Sequence, residues 1–500
     1  MEQKTFEIGR QESDVDLQQN KKIGNKWGVE SKKVWHIAGP AILNAVSLFS
    51  LEFVTAAFAG RLGDLELAVV SEVHNVIAGF VYGVMLGMAS ALATLCGQAV
   101  GAGQFNMLGV YLQRSWLITG FTSLLLTPVF VFTSPILKLL RQDKDIAHLA
   151  GKYAIWIIPQ MFAYALNFPM QKFLQSQSKV WFMAIISMGG LAIHVLLNWI
   201  LVIKAGHGLF GAAIAGNISW WILNIAQLVY IISGYFPEAW TGFSCLAFKS
   251  LTNFVKLSLA SAIMVCLELW YFTAVILMVG GLKNATVAVD AISICYFTTK
   301  PYMLTNWFGY DSLGLQLWTL TVAFGFTSST SVRVSNELGA GNPKAAKFSV
   351  TVNVLTSAVI GLVFSAIILA TRKEFPRLFT NEQHVIKETS KLGYILAAII
   401  FLNGIQPVLL GVAVGAGWQL QVALISIGCY YGFGLPLGAL LGYKFKFGVE
   451  GILSAMLAGS LLQTLFQLII IARTSWHKQA LQAEERVRSW GGKEENQETS

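Results

Sequence analysis

Twelve long apolar segments constrain this chain more than any other feature of its sequence. A helix crosses a hydrocarbon layer of about 30 Å in about 20 residues. The segments run without the period-two alternation of a transmembrane β-barrel. The sequence therefore predicts an all-α polytopic membrane protein with twelve transmembrane helices. We place them near residues 36–59, 68–94, 112–137, 149–170, 181–203, 209–233, 252–281, 288–334, 347–371, 390–414, 419–443 and 449–473.

The composition agrees with a lipid environment. Of the 500 residues, 55% are hydrophobic and 12% are charged, whereas a soluble globular protein has about 25% charged residues. The net charge of +9 is typical of a protein at a membrane surface. We expect the lipid bilayer as a partner and no nucleic acid, because no basic cluster is interleaved with aromatic residues.

The two ends of the chain are polar and indicate its orientation. Residues 1–35 contain no apolar core, so they are not a cleavable signal peptide, and residues 474–500 are polar as well. An even number of spans places both tails on one side. Lys and Arg are enriched in both tails, which predicts cytosolic termini by the positive-inside rule.

The second half of the chain repeats the first. "GAG" at 101–103 recurs at 339–341 and Pro169 recurs at Pro407, both with an offset of 238, while "GLFG" at 208–211 matches "GVEG" with an offset of 240. This predicts two six-helix lobes related by a pseudo-twofold axis along the membrane normal, with a cavity between them, which is a transporter architecture. We divide the chain into a tail (1–35), an N-lobe (36–235), a linker (236–251), a C-lobe (252–473) and a tail (474–500).

One segment of the C-lobe breaks the repeat. Earlier matches have an offset near 220, so the change to 238 indicates about 18 extra residues in the second half. They lie at 296–316, which contain Lys300, Pro301 and Asp311, residue types that suit neither a helix interior nor lipid. We treat 296–316 as an atypical insertion, either genuine or the product of a gene-model error.

Glu268 is the strongest candidate for coupling transport to an ion. It lies about midway along the seventh span, in "VCLELWYF", and an acid inside a membrane is a functional-site candidate by default. Removal from water favours the protonated form of a carboxyl group, so Glu268 is suited to bind and release a proton. Glu52, nearer the outer end of the first span, is a secondary acidic candidate.

Several other residues are candidates for the cavity or for helix bends. Trp270 and Tyr271 adjoin Glu268 and suit a flat aromatic ligand, and Asn403 and Gln406 suit a polar one. Interhelical hydrogen bonding is an equal alternative for the two amides. Pro40 and Pro407 lie inside spans, where proline permits a bend.

The sequence offers no metal site and no catalytic set. The five cysteines form no CxxC pair and the histidines have no metal-ligand spacing, so we expect no cofactor. His194 lies inside an apolar span, where we expect a packed, hydrogen-bonded core histidine. No HExxH or GxSxG motif is present, so the sequence does not indicate an enzyme.

Four motifs resemble the plant branch of the multidrug and toxic compound extrusion (MATE) transporters, the DETOXIFICATION family. They are "LGMASALATLCGQAVGAGQF", "SVRVSNELGAGNP", "QPVLLGVAVGAGWQ" and "CYYGFGLPLG". The likeness runs from about 30 to 480 and is strongest to members that handle flavonoids. Relatives carry an acid at the position of Glu268, some carry an aspartate at Asn403, and they run into the eighth helix without the insertion at 296–316.

The resemblance implies a secondary active antiporter. Such proteins export or sequester organic compounds, including flavonoids, other secondary metabolites and xenobiotics, in exchange for protons or sodium by a rocker-switch movement of two lobes. We expect a monomer in the vacuolar or the plasma membrane. One alternative is a citrate-type organic-anion exporter, which requires a cavity lysine or arginine, and we identify none within the spans. A transport-inactive homologue, caused by the insertion, is the other.

Overall fold

The computed structural model describes residues 2–140, 142–249, 251–282, 315–378 and 383–490, and this part of the chain is helical without strands. The first lobe contains α1 (Glu2–Gly60), α2 (Asp64–Gly101), α3 (Phe105–Val131), α4 (Lys144–Trp156 and Ile158–Ser176), α5 (Val180–Lys204) and α6 (Gly208–Ile232). The second lobe contains α7 (Leu251–Gly280), α8 (Leu315–Gly339), α9 (Pro343–Thr371), α10 (Gln383–Ala416), α11 (Gln419–Lys444) and α12 (Gly448–Arg473). A further helix, α13 (Trp476–Trp490), follows the second lobe, and short helical turns lie at Thr133–Leu139, Cys245–Phe248 and Phe375–Leu378.

Twelve transmembrane helices form two six-helix lobes, as the sequence predicts. Ten helices in the described residues are long and apolar enough to cross a membrane. The other two are α4, which is interrupted at Ile157, and α8, whose described part begins at Leu315. The proposed insertion at 296–316 lies outside the described residues, except for its last two positions in the first turn of α8.

The repeated "GAG" turns have the same backbone structure in both lobes. After α2, the amides of Gly103 and Gln104 donate to the carbonyls of Val100 and Ala99 at 3.1 and 2.9 Å. After α8, the amides at the positions 238 residues later make the corresponding bonds at 3.1 and 2.8 Å. Gly103 and Gly341 both have φ of 70°, a left-handed conformation that favours glycine. The repeat is therefore one of structure as well as of sequence.

A second pair of turns repeats at an offset of 240. α5 and α11 both end in a π-helical turn, Trp199–Lys204 and Leu440–Lys444. The next helix of each lobe then begins at a glycine with positive φ, Gly208 at 56° and Gly448 at 60°. These are the "GLFG" and "GVEG" segments, so the pseudo-twofold relation extends to the last helix pair of each lobe.

Both predicted bend prolines lie within continuous helices. α1 contains Pro40 and α10 contains Pro407. The carbonyl of Pro407 accepts a hydrogen bond of 2.7 Å from Thr327 of α8. This bond joins α10 to α8 at the proline. Whether these prolines act as bends in transport stays a prediction.

The segment of α1 around Glu30 and the C-terminal helix α13 lie on the same side of the lobes, which we call the tail side. The N-terminal segment, expected to be a polar, solvated tail, is helical and continuous with α1 from Glu2. The C-terminal segment, also expected to be a solvated tail, forms α13, which buries Trp476, Ala480 and Val487. Apolar residues recur along this helix at intervals of three and four, and they pack it against the lobes.

Candidate functional site

Glu268 lies inside the C-lobe, at a junction of three helices. α7 carries the carboxylate, α10 carries Gln406 and α12 carries Gln463. Gln406 donates from Nε2 to Glu268 Oε1 at 2.7 Å, and Gln463 donates from Nε2 to the same oxygen at 3.4 Å. Gln463 Nε2 also lies 2.8 Å from Ser426 Oγ of α11. The C-lobe thus surrounds one carboxylate with neutral hydrogen-bonding groups.

Glu268 and its neighbours on α7 lie on different faces of that helix. Its neighbours Cys266 and Leu269 approach Gly83 of α2 across the lobe boundary, whereas Glu268 lies on another face of α7 and bonds within its own lobe. A helix places successive side chains about 100° apart, which separates these faces. Glu268 as a whole residue is half-buried.

The two aromatic candidates lie in different surroundings. Trp270 is 43% exposed, and its ring stacks on Phe80 of α2 with centroids 5.5 Å apart. Tyr271 is 0% exposed and stacks on Tyr430 at 4.1 Å, while its hydroxyl donates to the carbonyl of Met456 at 3.4 Å. Trp270 therefore lies at the lobe boundary, and the described contacts of Tyr271 are inside the C-lobe.

Asn403 and Gln406 also differ in their contacts. Gln406 bonds Glu268 and lies 3.3 Å, Nε2 to Oε1, from Gln463. Asn403 is 4% exposed, and its buried Nδ2 has no hydrogen-bond partner among the described residues. A buried amide without a partner is costly. Asn403 is therefore available as a hydrogen-bond donor, three residues from Gln406 on the same helix.

Glu52 belongs to a separate, N-terminal cluster. It is half-buried on α1 and lies near the phenol groups of Tyr82, Tyr153 and Tyr164. Tyr82 and Tyr164 pack edge to face with centroids 5.6 Å apart. The two acidic candidates are therefore in different lobes and do not form one site.

His194 is a packed, hydrogen-bonded core residue, as expected. It is 1% exposed, and its ring nitrogens lie 3.0 Å from Thr55 Oγ1 and 2.9 Å from Ser219 Oγ. Asn198 contacts the same ring at 3.0 Å. The imidazole joins α1, α5 and α6, and it shares no contact with the Glu268 cluster.

The sequence analysis missed some polar residues of the interior. Gln463 and Ser426 of the Glu268 cluster lie in apolar segments that gave no sign of their facing one another. We identified no cavity cation within the spans, yet Lys172 lies inside α4, which continues to Ser176 beyond the predicted end of that span at 170. Lys172 is half-buried and donates to Gln175 Oε1 at 3.2 Å. Extending the predicted span by a few residues past 170 would have included this lysine.

Comparisons with known proteins agree with this architecture. The MatE family model matches residues 40–200 and 312–440. Protein DETOXIFICATION 33 of Arabidopsis thaliana is 51% identical over 467 residues, covering 93% of each chain, and Protein DETOXIFICATION 29 of the same plant is 50% identical over 93% of this chain and 90% of its own. The crystal structure of the eukaryotic MATE transporter AtDTX14 is similar with a TM-score of 0.84 and 32% identity, covering 92% of this chain and 99% of that one. The Vibrio cholerae MATE transporter VcmN in its bent form shares the fold, with a TM-score of 0.73 and 19% identity over 92% of this chain and 99% of its own.

Two six-helix lobes, with an acid–amide cluster inside one of them, define a multi-pass membrane transporter and not an enzyme. The chain belongs to the MATE family, whose members carry multidrug and toxic compounds out across membranes.

Proposed function

We propose that this protein is a proton-coupled antiporter that exports or sequesters organic compounds such as flavonoids, other secondary metabolites and xenobiotics. One observation supports this most strongly. Glu268 accepts hydrogen bonds from Gln406 and Gln463, and no basic side chain of the described residues forms an ion pair with it. A lone, sheltered carboxylate is a suitable site for one proton.

The two glutamines suit both protonation states of Glu268. An ionised carboxylate only accepts hydrogen bonds, whereas a protonated carboxyl group also donates one. A glutamine amide supplies either a donor or an acceptor according to its rotation. The cluster can therefore satisfy Glu268 with and without a proton, and it does so without a permanent counter-ion.

Exchange of protons for substrate then follows if Glu268 is exposed to the two sides of the membrane in turn. Protonation from the acidic side removes the charge of Glu268 and releases bound substrate. Rocking of the two lobes exposes the site to the opposite side, where loss of the proton restores the charge and substrate binds again. A ligand shifts such a conformational equilibrium only by its difference in affinity for the two states, and the charge of Glu268 supplies that difference.

Trp270 is the candidate contact for aromatic substrates. Its ring is partly exposed at the lobe boundary, where a flat ligand can stack in place of Phe80. Tyr271 supports the site from within the C-lobe. We expect Trp270→Ala to raise the half-saturating concentration of a flavonoid glycoside and Trp270→Phe to preserve it.

The experiment is transport into sealed vesicles under an imposed pH gradient, with a panel of flavonoid glycosides, alkaloids and citrate. Glu268→Gln should abolish pH-driven flux and leave folding and membrane insertion intact. The matched control is Glu72→Gln, because Glu72 of α2 also accepts a bond from a glutamine, Gln142 Nε2, at 3.2 Å. Unchanged pH-driven flux in Glu268→Gln excludes this mechanism, and flux driven by a sodium gradient alone assigns sodium as the coupling ion.

Lys172 favours a second candidate function, organic-anion export. Lys172 is a residue of α4, and no carboxylate of the described residues lies within ion-pair distance of its ammonium group. An anionic substrate would compensate this charge, as the citrate-type alternative requires. Citrate flux that is lost in Lys172→Gln, with flavonoid flux retained, would establish it.

Activity, location and assembly complete the proposal. We place both termini in the cytosol, the protein in the vacuolar or plasma membrane, and a single chain as the active unit. Protease protection of tags at either end tests the orientation.

Flux through the full chain and through a variant lacking 296–316 tests whether the insertion makes this homologue inactive.

A further inference from the structure

The lobes meet in a close-packed seam on the tail side. Gly101 of α2 approaches the carbonyl of Asn336, and Gly339 of α8 approaches the carbonyl of Gln98, so closely that an added Cβ on either glycine would overlap that oxygen. Gln98 Nε2 also donates to the carbonyl of Gly415 in α10 at 3.2 Å. The repeated glycine-rich motifs of the two lobes therefore pack directly against each other.

α1 extends the same seam along α8. Ser329 Oγ of α8 donates to the carbonyl of Val34 at 3.2 Å. The rings of Trp35 and Phe326 pack edge to face with centroids 5.2 Å apart. α8 of the C-lobe thus packs against two helices of the N-lobe, α1 and α2.

A three-residue ionic cluster lies in this seam. Arg333 of α8 donates from Nε to Glu30 Oε1 at 2.8 Å and from Nη2 to Glu30 Oε2 at 2.9 Å. Arg333 Nη2 also donates to Glu337 Oε1, one turn along α8, at 2.6 Å. Two parallel bonds to one carboxylate form the fork geometry that gives arginine pairs their strength and orientation. The side chains of Arg333, Glu30 and Glu337 are only 12%, 9% and 16% exposed.

The two glutamates differ in what lobe separation would do to them. Glu337 is on the same helix as Arg333, so its ion pair survives any rigid movement of the lobes. Glu30 is on α1 of the other lobe, and its ion pair with Arg333 crosses the boundary. Opening the seam would break the two hydrogen bonds between Arg333 and Glu30 and admit water. Water then solvates the separated charges, whereas separating them without water would leave them uncompensated. In the structure Arg333 binds both glutamates at once, and with the seam open it would keep only Glu337.

We propose that Arg333 is a positioning residue of the transport cycle, which holds the tail side closed by binding Glu30 and must release it in every turnover. This rests on the proposed alternating exposure of the site to the two sides of the membrane. Arg333 touches neither Glu268 nor its glutamines in the structure. It acts on transport by setting how much of the protein is closed on the tail side.

The experiment measures seam opening directly, without any substrate. Ser335 of α8 is 0% exposed and lies against Gly97 in the seam, so Ser335→Cys, in a chain whose native cysteines are replaced by alanine, reports opening through its reaction with a membrane-impermeant maleimide. The reagent is added separately to each side of sealed vesicles. Arg333→Gln and Glu30→Gln should each increase labelling from the tail side at least about ten-fold, because each removes the sheltered ion pair that joins the two lobes.

Two further variants separate this role from a loss of folding. The exchange Glu30→Arg with Arg333→Glu restores an opposite-charge pair and should return labelling toward the parent rate. Arg377→Gln is the matched control, because Arg377 forms an ion pair of 2.7 Å with Glu374 at an exposed position within the C-lobe; it should leave labelling unchanged. Parent-like labelling in both single variants, or a double variant that labels as fast as they do, overturns the proposal. Since labelling needs no cargo, this result is independent of whether flux is pH-driven.

Discussion

Gln406 Nε2 lies 2.7 Å from Glu268 Oε1, and this bond joins α10 to α7 within the C-lobe. The amide is 6% exposed and Glu268 is half-buried, so the bond is sheltered from bulk water. Hydrogen bonds to charged groups contribute more than those between neutral groups. The acid that we propose as the proton site is therefore held by a neighbour that carries no charge.

Replacement of Gln406 tests that support. Gln406→Leu removes the donor at similar volume, and Gln463 then remains as the only described amide bonded to Glu268. We expect pH-driven flux to fall by about ten-fold, corresponding to a bond of about 1.5 kcal/mol. Initial rates in vesicles measure this, with Thr389→Val, at a buried position of the same helix, as the control. An equal loss in both variants would indicate damage to α10 in place of a specific effect on Glu268.

The lobe seam gives a prediction about steric fit. Gly101→Ala places a methyl group against the carbonyl of Asn336, so the two lobes cannot approach as closely. We expect a loss of stability of about 1–3 kcal/mol from overpacking, seen as a lower melting temperature in detergent. Gly120→Ala of α3 is the control, because an added Cβ there meets no atom within 4 Å. Equal melting of the two variants would contradict close packing at the seam.

The helix count and the repeat were accessible from the sequence, because each leaves a pattern in the order of the residues. Long apolar segments predict spans, and the recurrence of "GAG" predicts two matching turns. Gln463 and the pairing of Glu30 with Arg333 were not accessible, since partners 195 and 303 residues apart leave no local pattern. α13 was accessible in principle: Trp476, Ala480, Ala483 and Val487 recur at helical intervals in a segment that we read as a polar tail.

His194 gives a prediction that separates structure from coupling. His194→Leu removes the shared partner of Thr55, Ser219 and Asn198 in the N-lobe. We expect the free energy of unfolding to fall by only about 1 kcal/mol, because the hydroxyl groups of Thr55 and Ser219 keep their backbone acceptors. We expect the flux per folded molecule to stay unchanged. His148→Leu, at an exposed position, is the control for stability. A selective loss of pH-driven flux in His194→Leu would instead assign the N-lobe a part in proton transfer.

The C-terminal helix α13 bridges the two lobes on the tail side. Arg486 Nη1 donates to the carbonyl of Ala416 in the C-lobe at 2.9 Å, and Arg114 Nη1 of the N-lobe donates to the carbonyl of Trp490 at 3.3 Å. Trp490 also packs against the apolar core that contains α3. A helix fixed to both lobes must detach from at least one of them whenever the tail side opens.

Removal of α13 should therefore favour the tail-open state. We expect a chain that ends at Arg473 to label faster at Ser335→Cys from the tail side, by about three- to ten-fold, because its opening no longer breaks one of the two bridging hydrogen bonds of about 1 kcal/mol. A chain that ends at Trp490 keeps the helix and is the control. Unchanged labelling in the shorter chain, with normal membrane insertion, would show that α13 follows the lobes without restraining them. Faster labelling in the shorter chain alone would establish α13 as a second restraint on the seam, separate from Arg333.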